Sequence, residues 1–235
     1  VRNALNLETV EEGDAALKAL AADGTVGVLI LTGAGDQAFV SGADINELRE
    51  RTRDEGLAAI NSSFFATVER FPRPTIASVN GYALGGGCEL AMACTLRIAS
   101  ENAAFGQPEV GLGLIPGYGG SQRLPRLVGK GRALEILLSG ESVSAESALA
   151  MGLVNRVVPG PELLPASEAL ARKIMANAPL AIRYCLEAVH RGMEMTLTEG
   201  QFFEATMFGM CFATEDAEEG TEAFLEKRAP KFKGK

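Results

Sequence analysis

The chain has one histidine and no tryptophan in 235 residues, and its four cysteines, Cys88, Cys94, Cys185 and Cys211, fall at no metal-ligand spacing. A single histidine excludes sites built on several imidazoles, and without a C-x-x-C pair no zinc is indicated, so the expected metal complement is none. Cysteines this sparse point to reduced thiols and a cytoplasmic location rather than a disulfide-held scaffold. No apolar run is long enough to span a membrane. Lys and Arg number 22 against 30 Asp and Glu, a formal charge of -8, which argues against nucleic acid or an anionic membrane as partner. His190 lies in the helical pattern Tyr184–Arg191 and reads as structural or surface, so proton transfer falls to Asp, Glu, Lys, Tyr or Cys.

What is present is an apolar share of 47% without low-complexity segments, the mark of an ordinary folded domain. The start, Val1-Arg2-Asn3-Ala4-Leu5-Asn6, has neither an initiator Met nor a leader-like profile and reads as truncated. A helix is expected over 7–23, then a buried strand over 26–32. Gly33-Ala34-Gly35-Asp36-Gln37-Ala38 matches a dinucleotide fingerprint after a strand. The fingerprint needs a helix to follow, whereas Phe39-Val40 favours a strand and Gly42 interrupts, so a loop carrying Ala43 with a helix from Asp44 fits better. Helix is expected over 44–53 and 56–71, stopped by Pro72 and Pro74, then a strand over 75–79.

The most informative stretch is Asn80 to Gly120. Gly85-Gly86-Gly87 leaves backbone N–H groups uncovered, and Cys88-Glu89-Leu90-Ala91-Met92-Ala93 reads as the first turns of a helix. Such a junction can hold developing negative charge. With Glu89 inside it and Glu109 in the glycine-rich stretch 105–120, expected to be a loop, the pattern suggests a carboxylate pair working at an oxyanion site. A strand is expected over 96–99, helices over 122–128, 132–139 and from Ser144 to Met151, and a last strand over 153–158.

Beyond Pro159-Gly160-Pro161 only helical periods remain, over 162–178, 179–191, 198–213 and 214–228. The segment with Phe202, Phe203, Met207, Phe208, Met210 and Phe212 is too apolar for a solvated helix; core and subunit interface both fit. The tail from Lys227 carries five basic residues and no acid, either a solvated terminus or a local site for an anion.

Several motifs in order, Asn3–Asn6, Phe39–Ile45, Ile76–Ala91, Phe105–Glu109 and Ile115–Leu124, give the chain its resemblance to the enoyl-CoA hydratase (crotonase) family over essentially its whole length. The resemblance implies an α/β fold of the ClpP/crotonase type: a spiral of repeated β-β-α units over 1–160, and a C-terminal helical region over 161–235 for trimerisation and active-site covering. The resemblance thus implies a homotrimer or a homohexamer, since the trimers of this family are often paired. The N-terminal strand that normally precedes the Asn-Ala-Leu motif is not in this sequence.

The resemblance further implies that the N–H groups of Ala43 and Gly86 form an oxyanion hole for an acyl-CoA thioester, and that Glu89 and Glu109 are the catalytic pair. Glu89 would activate water, Glu109 would deliver a proton, and Gly117, at an expected helix start, would orient the water. Ser41, Gly42, Ala43, Asp44 and Ile45 would line the CoA path, with Lys227 near its phosphates. The acyl pocket would lie around Leu48, Leu84, Ile115 and Tyr118. No cofactor is expected, CoA entering as part of the substrate. Hydration of a 2-enoyl-CoA is the expected reaction; isomerisation, thioester hydrolysis, or a silent CoA- or RNA-binding role are the alternatives.

Overall fold

The computed structural model describes residues 3–58 and 60–235. Val1 and Arg2, where the sequence reads as truncated, and Ala59, inside the helix expected over 56–71, lie outside them. The chain divides into two compact units, Val1–Phe71 with Thr75–Glu168, and Pro72–Pro74 with Ala169–Lys235.

The first unit opens with helix α1 (Leu7–Ala22), capped by the Asn6 side chain. Strands then alternate between two sheets. β1 (Leu29–Thr32), β3 (Thr75–Val79), β5 (Leu96–Ser100) and β8 (Arg156–Val158) form one, in the order β1-β3-β5-β8 and parallel throughout. β2 (Ala38–Val40), β4 (Tyr82–Leu84), β6 (Ala104–Gly106) and β7 (Val143–Ser144) form the other, parallel except for the β6–β7 pair. Each turn therefore lays one strand on each sheet before the chain crosses over through helix, which is the repeated β-β-α spiral. Parallel strands require such crossovers, and helices then cover them, which is why β3 is buried at all five positions.

The crossovers are α2 (Ile45–Glu50), α3 (Arg53–Ala58) and α4 (Ile60–Glu69) in the first turn, α5 (Gly86–Ala93) in the second, and in the third a 3-10 helix (Pro108–Leu112), α6 (Gly120–Val128) and α7 (Lys130–Ser139). α8 (Ala145–Ala150) starts on the Ser144 cap, as expected. Two expectations are corrected. The helix over 44–53 ends at Glu50, with Asp44 outside it as the N-cap accepting from Asn46 N at 2.8 Å. The stretch 105–120 is not all loop: Gly106 ends β6, and Pro108, at home in a first helical turn, opens the 3-10 helix that carries Glu109. The Gly33–Ala38 loop runs directly into β2 rather than a helix, which removes the dinucleotide reading.

Every residue of α5 is buried. A helix enclosed on all sides must be apolar or small-sided, and Gly87 marks the closest approach: a Cβ there would collide with the Val40 carbonyl of β2. The surrounding core is filled by Phe39, Phe65, Phe105, Ile76, Ile98 and Leu124.

α9 (Leu163–Met175) crosses the division into the second unit, which holds α10 (Pro179–Gly192), α11 (Leu197–Cys211) and α12 (Glu215–Glu226). Thr196 and Glu199 form a reciprocal capping box on α11, and Thr214 caps α12. The α11 segment is not core in this chain: Phe202, Phe208 and Phe212 are 74%, 65% and 70% exposed. The basic tail is not loose either. Glu219 accepts from Lys231 N and pairs with Arg228, while Asp216 accepts from Lys233 N at 2.6 Å and Gly234 N at 2.8 Å, binding the tail along α12.

Candidate active site

The site assembles from three successive turns of the spiral. In the first, the segment after β2 makes a parallel bridge between Ala43 and Leu5: Leu5 N donates to Gly42 O at 2.8 Å and Asp44 N donates to Leu5 O at 2.9 Å. Successive backbone groups in an extended chain point to opposite edges, so the Ala43 N–H faces away from Leu5. In the second turn, Gly86 is the first residue of α5, where no preceding helical carbonyl exists to accept its N–H. A Cβ placed on Gly86 would lie 3.6 Å from Ala43 N, so the two donors are neighbours. They border one cavity of about 480 Å³.

Glu89 sits in the first turn of α5 and is 1% exposed. Its Oε1 accepts from Tyr118 N at 2.8 Å and Gly120 N at 2.7 Å, the latter the first residue of α6. The carboxyl group thus meets the N-terminal ends of two helices, where partial positive charge favours an anion. Burial opposes it and wins, pushing its pKa up to about 7; the two N–H bonds pull down, the Glu109 charge pushes up and Arg123 pulls down. Oε2 is buried without a hydrogen-bond partner among the described residues. A buried acceptor left open on a cavity wall is placed to bind a donor brought by the ligand.

Glu109, from the third turn, is half-buried, and burial raises its pKa too. The Gln107 amide, fully buried, donates to it at 3.2 Å and 3.1 Å when its nitrogen faces the two carboxylate oxygens. On its other side Glu109 fits against Gly85, whose φ of 51° and ψ of -123° suit glycine alone; a Cβ there would lie 2.7 Å from Oε1. Two N–H donors and two carboxyl groups with raised pKa values on one cavity can stabilise an oxyanion while protons move on and off adjacent atoms.

Ser41, Gly42, Ala43, Asp44, Ile45, Gly86, Glu89, Glu109 and Gly117 all line this cavity. Gly117, however, is not at a helix start, since α6 begins at Gly120; the N–H groups bonded to Glu89 belong to Tyr118 and Gly120. Of the expected acyl-pocket residues, Leu48, Ile115 and Tyr118 are on the wall, while Leu84 is not; Arg51, Leu112 and Leu114 are there as well. Backbone donors leave no side-chain signature, so Tyr118 and Gly120 were not legible; a glycine pair opening a helix was the available hint. Lys227 belongs to the second unit, exposed at the C-cap of α12 with φ 56°. His190 is exposed in the last turn of α10, and no cluster of three or more metal-ligating side chains occurs among the described residues.

A family described as enoyl-CoA hydratase/isomerase matches residues 1–235. A short-chain-enoyl-CoA hydratase of Clostridium acetobutylicum is 47% identical over 228 residues, covering 96% of this chain and 87% of that protein. A crotonyl-CoA hydratase of Syntrophomonas wolfei is 47% identical over 232 residues, 98% of this chain and 89% of its own length. The crystal structure of an enoyl-CoA hydratase from Bacillus anthracis superposes with a TM-score of 0.95 at 41% identity, covering 100% of this chain and 92% of that one.

Proposed function

The chain belongs to the enoyl-CoA hydratase/isomerase family, and from that premise we infer that it is an enoyl-CoA hydratase, adding water reversibly across the 2,3 double bond of a 2-enoyl-CoA in acyl-CoA metabolism. The observation that carries this reading is the convergence of two N–H donors and two raised-pKa carboxyl groups on one cavity.

The thioester oxygen lies between the N–H groups of Ala43 and Gly86. These donors strengthen as electron density moves onto that oxygen, so they stabilise the enolate-like transition state more than the ground state. Water binds Glu89 through the open Oε2. As its oxygen forms the new bond to C3, Glu89 takes its proton and the double-bond electrons shift toward the thioester. Glu109 delivers the proton that ends on C2. The raised pKa of Glu89 and the Glu109 charge beside it place the pair's proton on Glu89 at rest, so hydration starts once that proton has passed to Glu109 and ends with Glu89 protonated and Glu109 ionised, the resting arrangement. A Glu89 pKa near 7 suits a base at neutral pH, and mutual repulsion favours one shared proton on the pair. No cofactor is needed beyond the CoA of the substrate. Gly117 shapes the turn that delivers the Tyr118 N–H, and Ser41 to Ile45 guide the pantetheine.

Lys227, exposed and held at the end of α12, is assigned to the CoA phosphates, and the second unit to trimer or hexamer assembly and active-site covering. The exposed phenylalanines of α11 support the assembly. A cytoplasmic location is supported by the unpaired cysteines; among the described residues no helix is long and apolar enough to cross a membrane.

The test follows loss of enoyl-thioester absorbance with crotonyl-CoA. Glu89→Gln and Glu109→Gln should each lower kcat by at least about a hundredfold, the usual scale for removing an acid or base, and Lys227→Ala should raise KM without lowering kcat. Full activity in both glutamine variants, or release of free CoA in place of hydration, would overturn the assignment.

A further inference from the structure

Glu69 and Arg123 each stand at the wrong end of a helix. Glu69 closes α4, where the macrodipole is negative, and Arg123 lies near the start of α6, where it is positive. The two offset each other in a two-pronged pair: Arg123 Nε donates to Glu69 Oε1 at 2.9 Å and Nη2 to Oε2 at 2.8 Å. Charges set against local preference point to a requirement elsewhere in the fold.

The remaining guanidinium nitrogen shows what it is. Arg123 Nη1 donates to Tyr118 O at 2.7 Å. That carbonyl belongs to the peptide plane between Tyr118 and Gly119, and the planes on either side of it carry the N–H groups that hold Glu89 Oε1, Tyr118 N at 2.8 Å and Gly120 N at 2.7 Å. Glycines flank Tyr118 on both sides, and Gly119 is left-handed at φ 106°, so the turn takes its shape from its contacts rather than from its own residues. The guanidinium packs so close behind it that a Cβ on Gly119 would collide with it. Phe65, one helical turn before Glu69 on α4, stacks on the Tyr118 ring with centroids 4.9 Å apart. α4 thus grips the turn at its side chain and, through Arg123, at its backbone.

We propose that Glu69 and Arg123 are positioning residues for hydration: the pair clamps the Tyr118–Gly119 peptide so that both flanking N–H groups converge on Glu89 Oε1 and leave Oε2 aimed at the attacking water. The inference rests on the hydratase reading and adds a support that lies off the cavity wall and reaches the acid through backbone. The two N–H bonds and the Arg123 charge favour ionised Glu89, the form that accepts the proton of water. Glu109 opposes them, and the Cys88 thiol, pushed up to about 12 by burial, stays neutral beside it.

The experiment measures kcat and KM for crotonyl-CoA, and the carbon-13 titration of the Glu89 carboxyl group, assigned by its loss in Glu89→Gln. Arg123→Met should lower kcat by about tenfold or more, as for a catalytic group let slip by a fraction of an ångström, with little change in KM because the oxyanion donors and the CoA path lie on other segments. Glu89 should titrate at higher pH in this variant than in wild type, and the limb of kcat/KM that this group sets should move up with it. Glu69→Gln, which keeps an acceptor for Arg123, should fall between the two. Exchanging the pair, Glu69→Arg with Arg123→Glu, separates a clamp from a plain ion pair: each charge then sits at its favoured helix end, but a carboxylate has nothing to donate to Tyr118 O, so kcat should stay low. Wild-type kcat in Arg123→Met, or recovery of kcat in the exchanged pair, would overturn the proposal. Should Arg123→Met fail to fold, Arg123→Lys takes its place, since one ammonium does not reproduce the fork; kcat should fall with the charge kept, and a full kcat overturns the clamp equally. The titration needs no turnover and so separates the two inferences. An upward displacement in Arg123→Met, with a wild type inert toward crotonyl-CoA, would retain the clamp and sink the hydratase reading; an active wild type whose Arg123→Met variant changes neither kcat nor the titration would do the reverse.

Discussion

Glu89 is a residue whose burial works against the fold. In an unfolded chain its carboxyl group ionises near 4.5, and in the site only near 7. A raised carboxyl pKa means that its contribution to stability is greatest below about 4.5 and is lost as pH rises through about 7, because the folded state resists the charge that the unfolded state accepts. Glutamine keeps an oxygen for Tyr118 N and Gly120 N but never ionises. Glu89→Gln should therefore unfold later than wild type at pH 8, by an amount on the order of 3 kcal/mol, and lose that advantage near pH 4.5. Denaturant melts across that range would refute this by showing no pH dependence in the difference. In the active protein, where one proton must stay on the pair, the same titration should give kcat/KM a limb that falls above about pH 7, as both carboxyl groups become ionised. Glu89 and Glu109 were legible in the sequence because acids amid glycines carry chemistry in their own side chains. Gln107, Tyr118 and Gly120, which hold those acids, were not: an amide, an aromatic and a glycine have no pattern until the fold brings them together.

At the scale of elements, the long apolar strands and the helix starts on Ser144 and Thr214 were readable, because a buried run and a capping side chain are local signals. The alternation between two sheets was not, since β2, β4 and β6 are three residues each, too short for a period to register. The 3-10 helix holding Glu109 was hidden by its glycines and proline. Its junction with α5 is tight, and Gly85 makes it so. Gly85→Ala would be strained by roughly 1–3 kcal/mol in that backbone conformation and would push a methyl group against Glu109. Hydration of crotonyl-CoA should fall more than stability does, with CD spectra near wild type; a variant of full activity would show that the closeness of Gly85 to Glu109 is not needed.

For the whole molecule, the second unit leaves Phe202, Phe208, Met210 and Phe212 of α11 and Phe224 and Leu225 of α12 open to solvent. Apolar surface of this kind is uncommon on a monomer. Sedimentation should give a mass at or above three times 24.7 kDa, and Phe202→Glu with Phe212→Glu should lower it. A wild-type monomer at micromolar concentration would refute the assembly.

The parallel ladders also act as a ruler for the chemistry. Ala43, Gly86 and Glu109 each follow a strand of the same sheet, β2, β4 and β6, in three consecutive turns. Their spacing is therefore set by strand register, Ala83 against Phe105 and Val40 against Ala83, with one irregularity between Ala38 and Val40. A slip of a single residue would move a donor by about 3.3 Å, more than a hydrogen bond tolerates. Insertions in the crossover helices would leave that scale untouched, whereas a residue added to or taken from any of these three short strands would carry a donor or an acid out of reach of the others.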